Sequence, residues 1–62
     1  MVAYRVLEDG RQVARVDGEG DKAFSEAMHY GALYAQDGLP VRIERRQGAG
    51  WKHVASWVGR KR

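Results

Sequence analysis

Two histidines, two serines and one glycine-rich segment are the parts of this 62-residue chain whose residue types suit catalysis or metal binding. His29 and His53 carry the side chain that titrates near neutrality, but neither lies at a metal-ligand spacing. His29 follows Glu26 by three residues and stands beside Met28 and Tyr30, the setting of a packing or surface residue. His53 shares strand parity with Trp51 and Ala55 and reads as a partly buried strand residue. Ser25 and Ser56 lack the surroundings of a nucleophile elbow. Gly18-Glu19-Gly20-Asp21 is acidic and lacks the Lys-Ser/Thr that completes a phosphate loop. Tyr30 and Tyr34 lie one helical turn apart and could stack a ligand, but they read as the edge of a core. There is no cysteine, which excludes disulfides, thiolate chemistry and cysteine-based metal sites. A chain this short also leaves little volume for a pocket of several hundred Å3. No catalytic residue, metal, cofactor or small-molecule substrate is expected, and the chain reads as non-enzymatic.

The second chemistry is cationic. The net charge is +3, but it is unevenly placed. Residues 1–40 hold four cations against seven anions, a net of −3; residues 41–62 hold seven cations against Glu44 alone, a net of +6. Such asymmetry points to an anionic partner. Arginine supplies paired N–H donors that match phosphate oxygens.

The elements that must position these cations follow from the pattern. Residues 2–7 and 11–16 are rich in β-formers and flank Asp9-Gly10, a hairpin signal. A three-residue loop, Glu8-Asp9-Gly10, places Val2, Tyr4 and Val6 with Gln12, Ala14 and Val16, and leaves Ala3, Arg5 and Leu7 with Arg11, Val13 and Arg15. A helix is predicted from about Asp21, as N-cap, to Asp37, with Phe24, Ala27, Met28, Gly31 and Ala35 on one face. Gly31 lowers helix propensity, and close approach to the sheet is the expected compensation. Gly38-Leu39-Pro40 is a stop signal, with Gly38 in the left-handed conformation. Residues 41–46 and 51–58 form a second hairpin around Gly48-Ala49-Gly50. An odd-length loop there buries Trp51 and Trp57 together with Val41, Ile43 and Ala55.

The expected fold is α+β, in the order ββαββ: an antiparallel sheet of two hairpins with one helix packed on one face. The order resembles that of small accessory and phage-encoded proteins, at the level of fold alone. The core comprises Tyr4, Val6, Ala14, Val16, Phe24, Ala27, Met28, Ala35, Leu39, Ile43 and Trp57. Residues 1–62 make one domain, with 59–62 a flexible basic tail.

The face away from the helix then collects Arg5, Arg11, Arg15, Arg42, Arg46 and Lys52 against Glu44. With Arg60, Lys61 and Arg62 in the tail, these are the candidate nucleic-acid contacts. Leu7, Val13 and Val54 interrupt the same face and are candidates for a protein interface. A domain this small buries only about 60% of its unfolded surface, which favours a homodimer or another protein partner as the alternative. No apolar run is long enough to span a bilayer and no leader is evident, so a cytoplasmic location without membrane contact is expected.

Overall fold

The computed structural model describes residues 1–59; the tail residues Arg60, Lys61 and Arg62 lie outside the described residues. The chain runs β1 (Val2–Glu8), β2 (Arg11–Gly18), α1 (Gly20–Ala35), β3 (Val41–Gln47) and β4 (Gly50–Trp57). The four strands form one antiparallel sheet in the order β2-β1-β3-β4. Pairing of β1 with β3 joins the two hairpins, and α1 lies across all four strands.

Both hairpins reach their register by a device that differs from the expected loops. Glu8 pairs with Arg11, so the first loop is the two residues Asp9-Gly10. Their φ values of 52° and 83° are both positive, as a type I′ turn requires. Continued straight, that register would place Val6 opposite Val13 and mix apolar with charged residues. Instead Leu7 opposes Gln12 while Val6 opposes Ala14, so Val13 is an extra residue in a β-bulge. Beyond it Tyr4 faces Val16 and Arg5 faces Arg15, which restores the separation of apolar from basic side chains. Gln12 and Arg11 exchange faces relative to the three-residue loop.

The second hairpin repeats the device. Gln47 pairs with Gly50 across Gly48-Ala49, with Gly48 at φ 59°, the first position of a type II′ turn. Glu44 opposes His53 and Ile43 opposes Ala55, so Val54 is the extra residue. Ala55 and Trp57 stay on the helix side, whereas Trp51, opposite Arg46, turns to the other face. The expected burial of Trp51 beside Trp57 is therefore wrong. Neither Val13 nor Val54 serves as a residue of the open face: both are half-buried and pack against the core cluster. The candidate interface of Leu7, Val13 and Val54 loses two of its three members.

The core consists of Tyr4, Val6, Val16, Ala23, Ala27, Val41 and Ile43, with Met28, Tyr34, Ala35 and Trp57 packed around it. The buried helix face is a line of small residues, Ala23, Ala27 and Gly31, four apart. It is centred one residue before the expected stripe, which leaves Phe24 40% exposed with its ring beside Tyr4, centroids 5.9 Å apart. Small side chains let the helix sit close to the sheet. A Cβ on Gly31 would lie 2.5 Å from the Trp57 ring and 2.9 Å from Ile43 Cδ1.

The helix begins one residue before Asp21. Glu19 is the N-cap, without a side-chain cap bond, and Asp21 sits in the first turn, where the free N–H groups favour an anion. At the other end Gln36 is the C-cap, and Gly38 has φ 83°, donating its N–H to the Ala35 carbonyl at 3.1 Å. Gly59, expected in the tail, is half-buried against Pro40 and Gly38.

Candidate nucleic-acid interface

Alternation along each strand puts the residues between the core positions on the helix-free face. Arg15, Arg5, Glu44 and His53 form one row across all four strands. Gln12, Leu7, Arg42 and Ser56 form the next. Toward the other end of the sheet lie Asp17, opposite Ala3, and Trp51, opposite Arg46.

Four of the expected cations thus share this face: Arg5, Arg15, Arg42 and Arg46. Two do not. Arg11 opposes Glu8, which has the parity of Val6, and Lys52 opposes Arg45, which pairs with the core residue Tyr4. The bulges reverse parity between the loop and the bulge, so both Arg11 and Lys52 stand on the helix side of the sheet, exposed. Asp17 joins Glu44 as a second anion of the open face. Four guanidiniums against two carboxylates leave it positive, though less so than six against one.

The carboxylates organise the arginines. Glu44, with its side chain 12% exposed, accepts from Arg5 Nε on Oε1 at 2.7 Å, with Arg5 Nη2 at an ion-pair distance of 2.6 Å, and pairs with Arg42 Nη2 through Oε2 at 3.3 Å. Arg15 bonds Asp17 at 3.1 Å in an exposed pair. Arg46 donates its Nε–H to a backbone oxygen, that of Gly48, at 3.4 Å. Arg42 keeps 54% of its side chain in solvent.

Trp51 is the functional candidate that sequence reasoning missed. Its half-buried ring has Arg5 Cζ 4.4 Å from the centroid, and Arg15 and Arg46 Cζ at 5.9 Å each, within the range of cation–π attraction. The one available signal was Gly48-Ala49, a Gly-X pair that suits a two-residue II′ turn. A shallow cleft of about 210 Å3 lined by Arg45, Arg46, Gln47 and Lys52 lies at the same end of the sheet.

The histidines stand apart from any such grouping. His29 is exposed on the helix beside Tyr30, and His53, also exposed rather than partly buried, faces a Glu44 already engaged by two arginines. Tyr34 packs at the core edge and donates its hydroxyl to the Val13 carbonyl at 3.3 Å. Among the described residues no three His, Cys, Asp or Glu gather into a metal-binding group. A cleft of about 720 Å3 lies between the helix end and the end of β4, and no ionisable side chain lines it among the described residues. No helix among the described residues is long and apolar enough to cross a membrane.

No protein-family model matches the chain, and no solved structure matches it. Among curated proteins it is similar to the DNA mismatch repair protein MutL of Desulforudis audaxviator (strain MP104C), with 41% identity over 59 residues. The match takes in 95% of this chain but only about a tenth of the length of that relative.

Proposed function

We propose that the chain is a small, non-enzymatic binding module that contacts nucleic acid through the helix-free face of its sheet. The observation that carries this reading is the placement of Arg5, Arg15, Arg42 and Arg46 on one face across three adjacent strands. A folded domain needs a polar outer face, but it does not need an arginine-rich one. The similarity to part of a DNA mismatch repair protein supports the same reading. Arg15, Arg42 and Arg46 are the residues most available to phosphate, since all three are exposed whereas Arg5 is half-buried. Lys52 and Arg11, on the helix side, reach a ligand of this face only from the rim, and Arg60, Lys61 and Arg62 would add backbone contacts.

The test is a titration of labelled nucleic acid at several salt concentrations. Log affinity should fall linearly with log salt, with a slope of about −0.9 per neutralised phosphate for duplex DNA and about −0.7 for single strands. Replacing Arg42 and Arg46 together by Ala should flatten the slope and leave the fold intact. Absence of binding at low salt, or an unchanged slope, would end this reading.

The second reading is contact with protein, including a second copy of the chain. Its support is the pair of open strand edges, β2 and β4, each hydrogen-bonded to the sheet on one side only. Sedimentation equilibrium at micromolar concentration distinguishes a monomer from a dimer joined at such an edge.

A further inference from the structure

We infer that Trp51, held among Arg5, Arg15 and Arg46, is a stacking platform for an unpaired base, so that the ligand of this face is single-stranded nucleic acid. The inference rests on the nucleic-acid reading above and specifies which form is bound.

Geometry argues against a duplex. The side chains concerned come from all four strands: Arg15 from β2, Arg5 from β1, Arg42 and Arg46 from β3, Trp51 from β4. Strands about 4.8 Å apart make this face about 14 Å wide between its outer strand axes, before side chains are added. The major groove is about 12 Å wide and admits a two-stranded ribbon, not a four-stranded sheet. A duplex could touch this face only along its phosphates, where an indole has nothing to stack on. A single strand presents both phosphates and free base faces, the combination read by aromatic side chains set in a cationic groove.

The site is also preorganised. Glu44 holds the Arg5 guanidinium at 2.7 Å, and Arg5 in turn lies 4.4 Å from the Trp51 ring centroid, so the indole is propped by an anchored group. Trp51 is half-buried rather than enclosed. The exposed Arg15 and Arg46, at 5.9 Å, are placed to take the phosphates flanking a stacked base.

The experiment compares binding of a labelled mixed-sequence DNA strand, the RNA strand of the same sequence, and the corresponding DNA duplex. Tighter binding of one or both single strands than of the duplex is expected; the DNA and RNA arms show which sugar is preferred. Trp51→Leu should weaken single-strand binding by about fivefold to about a hundredfold, and Trp51→Phe much less. Duplex binding should be unaffected by either. Tryptophan emission provides a readout that needs no disruptive variant. Stacking should quench the wild-type protein but not Trp51→Phe, whose remaining indole, Trp57, lies on the opposite face under Gly31. Equal or tighter duplex binding, or no quenching on single-strand binding, overturns the platform while leaving the nucleic-acid reading in place. No binding of any of the three at low salt overturns both.

Discussion

Val13 and Val54 hold equivalent positions: each is the extra residue of a bulge on the outer strand of its hairpin, beside the central pair Val6 and Ile43. The row Ala14–Val6–Ile43–Ala55 crosses the sheet between the two bulges, and the hairpins are related about it by an approximate twofold axis. In each hairpin a tight two-residue turn sets one parity and the bulge then reverses it. The bulge at Val54 is what delivers Trp51 to the arginines.

The extra residue should therefore be removable without moving the tryptophan. Deletion of Val54 brings His53 next to Ala55, so the pairs Ile43–Ala55 and Glu44–His53 persist without a bulge and the parity of residues 50–53 is kept. Trp51 should stay on the face of Arg5 and Lys52 on the helix side. Acrylamide quenching and the indole N–H chemical shift report the position of the indole. A Trp51 that leaves the arginines in a folded deletion variant would contradict the assignment of Val54 as the extra residue.

Gly31→Ala should destabilise the protein although it improves helix propensity by about 1 kcal/mol. The new methyl would stand 2.5 Å from two ring atoms of Trp57 and 2.9 Å from Ile43 Cδ1, and a packed indole cannot swing aside. Overpacking of this kind costs about 1–3 kcal/mol, which offsets or exceeds the gain. The urea midpoint should fall; a rise would mean that the helix can lift from the sheet at little cost.

Ile43→Ala should remove about half of the domain's stability. Ile43 is fully buried, and its truncation costs about 2–5 kcal/mol. At about 0.05–0.15 kcal/mol per residue, a domain of this length has only about 3–9 kcal/mol in total. Phe24→Ala is the matched control, since that ring is 40% exposed and its loss should cost much less. Circular dichroism with urea denaturation separates the two.

Stability should decline as the solution is taken from acid through the titration of Glu8. The neighbouring Asp37 carboxyl, as hydrogen-bond partner to its protonated form, raises the Glu8 pKa above its ordinary value; desolvation and the charges of Asp37 and Asp9 add to the shift. Its Oε2 is enclosed and accepts no hydrogen bond among the described residues. A folded-state pKa above the unfolded one means stability that is fully present below the unfolded value and is lost as pH rises through the folded one. Glu8→Gln, which keeps a neutral donor beside Asp37, should remove that slope. Urea midpoints measured across the carboxylate range test it; a wild-type profile as flat as the variant's would exclude the pairing.

Much of the architecture was legible in local signals. Asp9-Gly10, Gly38-Leu39-Pro40 and the alternation of Val41 to Arg46 are short-range patterns whose physics lies in φ preferences and side-chain period. They determined two hairpins, one helix and a helix-facing row of Tyr4, Val6, Val16 and Ile43. They also identified Gly31 as a point of close approach. The placement of Phe24, Trp51, Arg11 and Lys52 was decided elsewhere. A bulge adds one residue to a strand without a residue type that marks it, and it forms where cross-sheet packing gains more than the lost ladder bonds cost. Val13 and Val54 are such residues, and they look like any other strand valine. Helix rotation followed the same logic: the sheet selected Ala23, Ala27 and Gly31 because small side chains permit close contact, and Phe24 was left at the rim. The basic character of the open face was thus written in composition, while its centre, Trp51 among three arginines, exists only once β4 has shifted its register against β3.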